Sequence, residues 1–178
     1  QKYIIELQEQ LLRNDCYIPN RPAFDPKDVA RKAKITASST KSGNVSLLLD
    51  GISRDEVDMI HHWESTGLNA TLQLTWEETQ KVSGVEIKCD TNLHTEIELH
   101  PNEEKRRKQI QGVPPEMIKS LTIEALKDGT WQEVATLDNN LRRLIVLNFD
   151  SISTNSIRVL LKETYGHPTI KIFEIRSY

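Results

Sequence analysis

Cysteine is scarce in this chain: Cys16 and Cys89 are the two among 178 residues. Two thiols build no disulfide framework, and their spacing fits no zinc motif. Whether they bridge each other depends on a distance that sequence does not supply. Glycine is sparse as well, at 7 residues, and no Gly-x-Gly-x-x-Gly occurs, so the fingerprint of a dinucleotide-binding loop is missing. No apolar run approaches the roughly 18 residues of a membrane-spanning helix. Neither sign of charge dominates: 23 Lys and Arg stand against 26 Asp and Glu, a formal net charge of −3. A dedicated nucleic-acid binder is clearly basic, so that class is disfavoured. With 37% hydrophobic and 28% charged residues, the chain is not polar enough to stay unfolded. What is present is about one domain's length of sequence, enough to bury a core without disulfides or metals.

The chain starts at Gln1 with neither a methionine nor a basic-then-apolar leader. We read this as processing or as a cut from something longer. Residues 3–13 place Ile4, Leu7 and Leu11 on one helical face, with Ile5 and Leu12 beside it. Such a helix needs a surface to cover, in this domain or in a neighbouring one. Residues 17–26 hold Pro19, Pro22 and Pro26 and read as an extended linker. Asp25-Pro26 reads as an N-cap followed by proline at the first helical position, opening a short helix through Ala33. The expected organisation is a helical lead and linker over 1–33 and one main domain over 34–178.

After Lys34 the pattern changes to short alternating runs separated by Gly, Pro, Asn and Asp. Strands are predicted over 35–38, 70–76, 84–90, 95–99, 120–126, 131–137, 144–149, 156–161 and 169–175. Asp128-Gly129 is a hairpin turn signal. Val85, Ile87 and Cys89 read as the buried face of one strand. No strand–helix alternation and no fixed-period repeat is present, so a parallel nucleotide-binding sheet is disfavoured. The expected fold is all-β, an antiparallel β-sandwich with a short N-terminal helical lead. Residues 100–115, with Lys105, Arg106, Arg107 and Lys108, read as a long solvated loop or as a basic contact surface.

The order of these signals resembles the discoidin-like, or coagulation factor V/VIII type C, domains. That family belongs to the galactose-binding-like β-sandwich (jelly-roll) group, which includes many carbohydrate-binding modules. The pieces that carry the resemblance are Ile35-Thr36-Ala37-Ser38-Ser39, Leu49-Asp50-Gly51, Trp63-Glu64-Ser65, Leu72-Gln73-Leu74 with Val82 to Ile87, Asp128-Gly129 with Trp131, Ser156-Ile157-Arg158-Val159, Tyr165-Gly166-His167 and Ile172 to Tyr178. They cover roughly 34–178, in the family's order, and are specific for the fold more than for a ligand. The segment between Gly51 and Trp63 is longer than usual in the family, and a terminal disulfide is not evident. Residues 11–19 and 25–33 are similar to the junction in large secreted bacterial FAD-dependent oxidoreductases, where a flavin domain precedes a discoidin-like module. That resemblance implies a partner domain before residue 1 and a secreted or periplasmic location; with the Gly-x-Gly-x-x-Gly fingerprint missing, no FAD is expected in this fragment.

The resemblance also implies a structural Ca²⁺ held by Asp50 and Glu174, a turn and a strand end offering hard oxygen donors. Read from the residues alone, Asp50 caps a turn and Glu174 lies on a solvent face. Trp63, Trp76 and Trp131 offer flat faces for sugar stacking, although their places in the strand patterns favour the core. Arg54, His61, His62, Tyr165 and His167 are the candidate ligand-binding residues, in loops expected at one end of the sandwich and able to donate to sugar hydroxyls. The alternative for all five is an ordinary solvated loop. Adjacent His61 and His62 do not face one way on a helix or strand, which disfavours a metal pair. Asn44-Val45-Ser46 and Asn69-Ala70-Thr71 match the glycosylation sequon. No catalytic set is supported by spacing. The function expected is a non-catalytic module of a larger secreted enzyme that contacts a glycan, or a structural domain that packs on a flavin domain.

Overall fold

The computed structural model describes residues 24–95, 101–110 and 112–178. The helix read over 3–13, most of the proline-rich linker, Cys16 and residues 96–99 lie outside the described residues. Thr95 sits in a bend.

Among the described residues the strands are β1 (Lys34–Ala37), β2 (Ser42–Gly43), β3 (Trp63–Glu64), β4 (Ala70–Cys89), β5 (Ile118–Lys127), β6 (Thr130–Leu137), β7 (Leu144–Thr164) and β8 (Lys171–Ser177). One short helix, α1 (Glu103–Arg107), and two 3-10 turns, Val29–Lys32 and Val45–Leu49, complete the order. Every strand pairing is antiparallel. The register resolves them into two layers, because β4 and β7 each serve in both. The first half of β4 pairs with β1 and with the second half of β7, which pairs on to β5 and β6. The second half of β4 pairs with the first half of β7 and with β8, which pairs on to β3 and β2. The register of β4 breaks between Thr75 and Gln80 and again between Val82 and Gly84. At these bulges both long strands turn the corner from one layer to the other. The result is the antiparallel β-sandwich that the alternation implies.

Period-2 burial fills the space between the layers. Leu72, Leu74, Ile123, Ile157, Val159 and Ile175 are fully buried, and each such side chain is worth roughly 1.5–3 kcal/mol over its exposed state. Two sequence expectations are corrected here. Residues 70–76 and 84–90 are one strand, as are 144–149 and 156–161. At the corners the bulged residues lose the alternation while the pairing continues from Gln80 opposite Thr154 to Val82 opposite Ile152. The Asp128-Gly129 hairpin forms as read, with both residues at positive φ (50° and 76°), the backbone of a type I′ turn.

The start of the lead is also corrected. Asp28, not Asp25, caps the turn Val29–Lys32: its carboxylate accepts from Ala30 N and, across the domain, from Ser177 N, both at 3.0 Å. Asp25 instead accepts from Lys27 N at 2.9 Å and forms a preceding turn. Trp63 and Trp76 are core residues; their indole N–H groups donate to Ser39 O at 3.0 Å and Val29 O at 2.8 Å. Trp131 is different. It is half-buried outside the core cluster, with the Arg158 guanidinium 4.4 Å over its ring. Cys89 is buried and free. The basic residues 105–108 belong to an exposed turn around α1, where Arg107 and Lys108 pair with Glu103 and Glu104.

The same register sorts the loops. Residues 38–41, 65–69, 90–95, 138–143 and 165–170 emerge at one end of the sandwich, and the 127–130 hairpin, the β4 corner and Tyr178 lie at the other.

Candidate functional site

The long segment between Gly51 and Trp63 is folded by its aspartates. Asp50 accepts from Ile52 N at 2.6 Å while Gly51 takes φ 85°, a conformation open to glycine. Glu56 and Met59 exchange backbone hydrogen bonds at 3.0 and 3.3 Å, so the tip is a tight turn. The returning arm is fastened by its two histidines. His61 Nδ1 lies 2.8 Å from Asp50 Oδ2, and His62 Nδ1 lies 2.8 Å from Asp55 Oδ2. His61 N donates to Asp55 as well, at 2.8 Å.

From His62 a chain of hydrogen bonds runs to the neighbouring loop. His62 Nε2 is 3.1 Å from Ser42 Oγ, Ser42 donates to Glu64 Oε2 at 2.7 Å, and Thr169 Oγ1 donates to Glu64 Oε1 at 2.6 Å. Thr169 Oγ1 in turn lies 3.1 Å from His167 Nδ1. Lys41 Nζ reaches Glu64 at 2.8 Å. Burial on its own raises the Glu64 carboxyl, but donation from Lys41, Thr169 and Ser42 outweighs it and holds the group down at about 2.

Against the side of this segment lies a cleft of about 290 Å³. Arg54 and Asp55 form one wall, Asp90, Leu93 and His94 the other, and Lys171 and Phe173 of β8 the floor. The Phe173 ring is held edge-on to His62, with centroids 5.9 Å apart, and under the Arg143 guanidinium at 5.6 Å. Arg143 also donates to Ser53 O, which anchors the segment to the sheet. Lys171 pairs with Asp90 at 3.2 Å. A second hollow of about 610 Å³ is lined by residues 54–59 themselves.

The five candidate ligand residues fall into three groups. Arg54 is exposed and lines the cleft. His61 and His62 are 3% and 7% exposed; they are not free loop donors, because each imidazole is drawn inward by an aspartate. Tyr165 packs against the core and His167 turns its ring to Thr169, so neither lines the cleft. Sequence reading missed Asp90, Leu93, His94, Lys171 and Phe173. The pairing of Cys89 with Ile172 is what joins the end of β4 to the start of β8, and no local pattern announces it.

The proposed Ca²⁺ donors do not fit that ion. Glu174 is 2% exposed and lies between Arg176 Nη2 and Lys88 Nζ, both at 2.5 Å, so its charge is already matched by protein cations. Asp50 is committed to His61 and Ile52. Among the described residues no group of three or more His, Cys, Asp or Glu gathers to hold a metal.

No protein-family model and no curated protein matches this chain. Solved structures do. It is similar to chitosan-binding module 1 of a chitosanase/glucanase from Paenibacillus sp. IK-5, with a TM-score of 0.60, 16% identity and coverage of 85% of this chain and 98% of that one. The family 32 carbohydrate-binding module of Streptococcus pneumoniae EndoD aligns with a TM-score of 0.62, 14% identity, and 85% and 99% of the two chains. The family 32 module of Clostridium perfringens NanJ, solved in complex with galactose, gives a TM-score of 0.56, 18% identity, and 83% and 94%. Structural likeness at identities of this order establishes the fold, an antiparallel β-sandwich, and leaves the ligand to the residues of the site.

Proposed function

We propose that this chain is a non-catalytic carbohydrate-binding module of a larger secreted enzyme, with the cleft over β8 as its sugar site. The observation that carries the reading is the make-up of that cleft: apolar Leu93 and Phe173 flanked by Arg54, His94 and Lys171. A sugar offers the matching surface, an apolar ring face edged with hydroxyls. Neighbours of the same fold are described with chitosan or galactose as ligand. The site sits on a loop cluster carried by a rigid sandwich, which suits recognition more than chemistry. Contacts are few, so single-site affinity is weak and tethering to the enzyme supplies the rest. A glycan array followed by calorimetry on the 178-residue chain tests this. Binding that weakens in Arg54→Ala and His94→Ala supports it, and silence on every glycan sinks it.

The resemblance of residues 11–33 makes an FAD-dependent oxidoreductase our reading of the parent enzyme, and a flavin fingerprint upstream of Gln1 in the reading frame is its test. Nucleic acid is not a partner in this reading; among the described residues no helix is long and apolar enough to cross a membrane. A second reading, a structural domain that packs on the flavin domain and binds no ligand, is favoured by the turn at the tip of the 51–62 segment. Val57, Met59 and Ile60 stand there 99%, 55% and 54% exposed, an apolar group suited to a protein contact. It is tested by Val57→Ser with Met59→Ser in the full-length enzyme: a lowered melting temperature there, with the separate module unchanged, favours packing.

A further inference from the structure

The cleft over β8 is unequal in what it offers. Its carboxylates are committed: Asp55 to His61 N and the His62 ring, Asp90 to Asn92 N at 2.9 Å and to Lys171. Two of its polar side chains are not. Among the described residues Arg54 and His94 line the cleft with no polar partner, and both are exposed. Lys171 has one partner, Asp90, for three N–H groups. An arginine carries five donors and no acceptor. The charged groups left for a ligand, Arg54 and the remaining N–H groups of Lys171, are therefore donors, set around Leu93 and the Phe173 ring.

A neutral sugar is poorly served by such a set. Each hydroxyl both donates and accepts, and the carboxylates that could take its protons already face Lys171, His61 N and the His62 ring. An oxyanion only accepts. The guanidinium fork of Arg54 matches a carboxylate or a sulfate through two parallel hydrogen bonds, and the charge strengthens both. Glu56 and Asp58 are acidic but line the neighbouring hollow, not this cleft.

We infer that the cleft selects acidic glycans, with the oxyanion of a uronate or a sulfated pyranose on Arg54 and the sugar ring against Leu93 and Phe173. This rests on the carbohydrate-binding reading and narrows it. The shared chemistry is an oxyanion on a pyranose, and the test separates its two sources.

Calorimetric titration of the 178-residue chain uses three probes: a galacturonate oligosaccharide, a sulfated galactan oligosaccharide and a neutral galactan oligosaccharide of equal length. The expected result is that one or both acidic probes bind about tenfold or more tighter than the neutral one. That preference shrinks near 0.5 M salt, where the screening length falls to roughly 4 Å. Arg54→Ala removes the preference and Arg54→Lys keeps part of it, because lysine retains the charge without the fork. Arg54 is exposed and unpartnered, so an unchanged melting temperature serves as the folding control. Equal or tighter binding of the neutral probe, or a preference that survives Arg54→Ala, overturns the inference and leaves the carbohydrate-binding reading standing. If no probe binds and the wider array is silent, the reading itself falls.

Discussion

Replacing Glu64 with glutamine tests the hub of the hydrogen-bonded chain. The carboxylate is 9% exposed and receives Lys41, Ser42 and Thr169. Two routes give the size of the effect. The displacement of its pKa from 4.5 to about 2 corresponds to roughly 3 kcal/mol favouring the folded, ionised form. Counting donors, the hydroxyls of Ser42 and Thr169 each contribute about 1.5–3 kcal/mol to a charged acceptor. Lys41 is 53% exposed, and its solvated charge adds about 0.5 kcal/mol. The two routes meet at the lower end of the donor count, near 3 kcal/mol, and discounting the screened lysine leaves about 2–3 kcal/mol. In Glu64→Gln the amide N–H₂ faces a donor, so most of this is lost at neutral pH. The sign of the pH dependence follows from a folded-state pKa below the unfolded one. The contribution is fully present above about pH 4.5 and disappears as pH falls through about 2. Urea denaturation of both proteins should show a constant gap from pH 7 to about pH 5 that narrows towards pH 2. A gap under about 0.5 kcal/mol at pH 7, or one that does not narrow in acid, refutes the reasoning.

Gly43→Ala should cost roughly 3 kcal/mol by urea denaturation, combining a left-handed backbone with overpacking. Gly43 has φ 71°, and an added Cβ falls 1.8 Å from His62 O; stability equal to wild type shows that β2 is free to move away. Asp28→Asn keeps the Oδ1 acceptor for Ala30 N and Ser177 N and removes a carboxyl whose pKa burial raises. Protonation of Asp28 therefore favours folding, and that contribution is lost as pH rises through the raised value. The asparagine variant should gain on wild type between about pH 4 and pH 7 in thermal melts, and an advantage that shrinks over that range contradicts the burial argument. Millimolar Ca²⁺ should leave the melting temperature unchanged, because Lys88 and Arg176 already balance Glu174; a rise of several degrees refutes that pairing.

The sheet was legible in the sequence because its core needs a repeat of two, and the repeat survives wherever one face of a strand is buried. Leu72 and Leu74, or Ile157, Val159 and Leu161, announce themselves this way. The repeat fails between Thr75 and Gln80 and again between Val82 and Gly84, where bulges turn the strand between layers, so one bent strand reads as two. Asp28 was overlooked for a related reason. The Asp25-Pro26 pair satisfies every local rule for a helix start, but the cap that forms also bonds Ser177 N, a contact invisible to local pattern.

The cleft has the same origin as these misses, carried further. Its lining comes from three stretches, 54–55, 90–94 and 171–173, and each had a plausible role of its own: a polar loop, a strand end, a closing strand. Lys171 and Phe173 look like ordinary members of β8 until Cys89 is placed opposite Ile172. Arg54 was found because exposed polar residues in an unusually long loop draw attention, and that signal also picked out His61 and His62. Residue type alone does not separate them. Each histidine ring is bonded by an aspartate, while Arg54, although it neighbours Asp55, makes no ion pair among the described residues. That difference in partners is what leaves Arg54 free for a ligand and makes the two histidines the fastening behind it. In the proposed reading recognition falls to Arg54, the arginine of the segment that folding leaves without an ion pair, and rigidity to the two rings buried beneath.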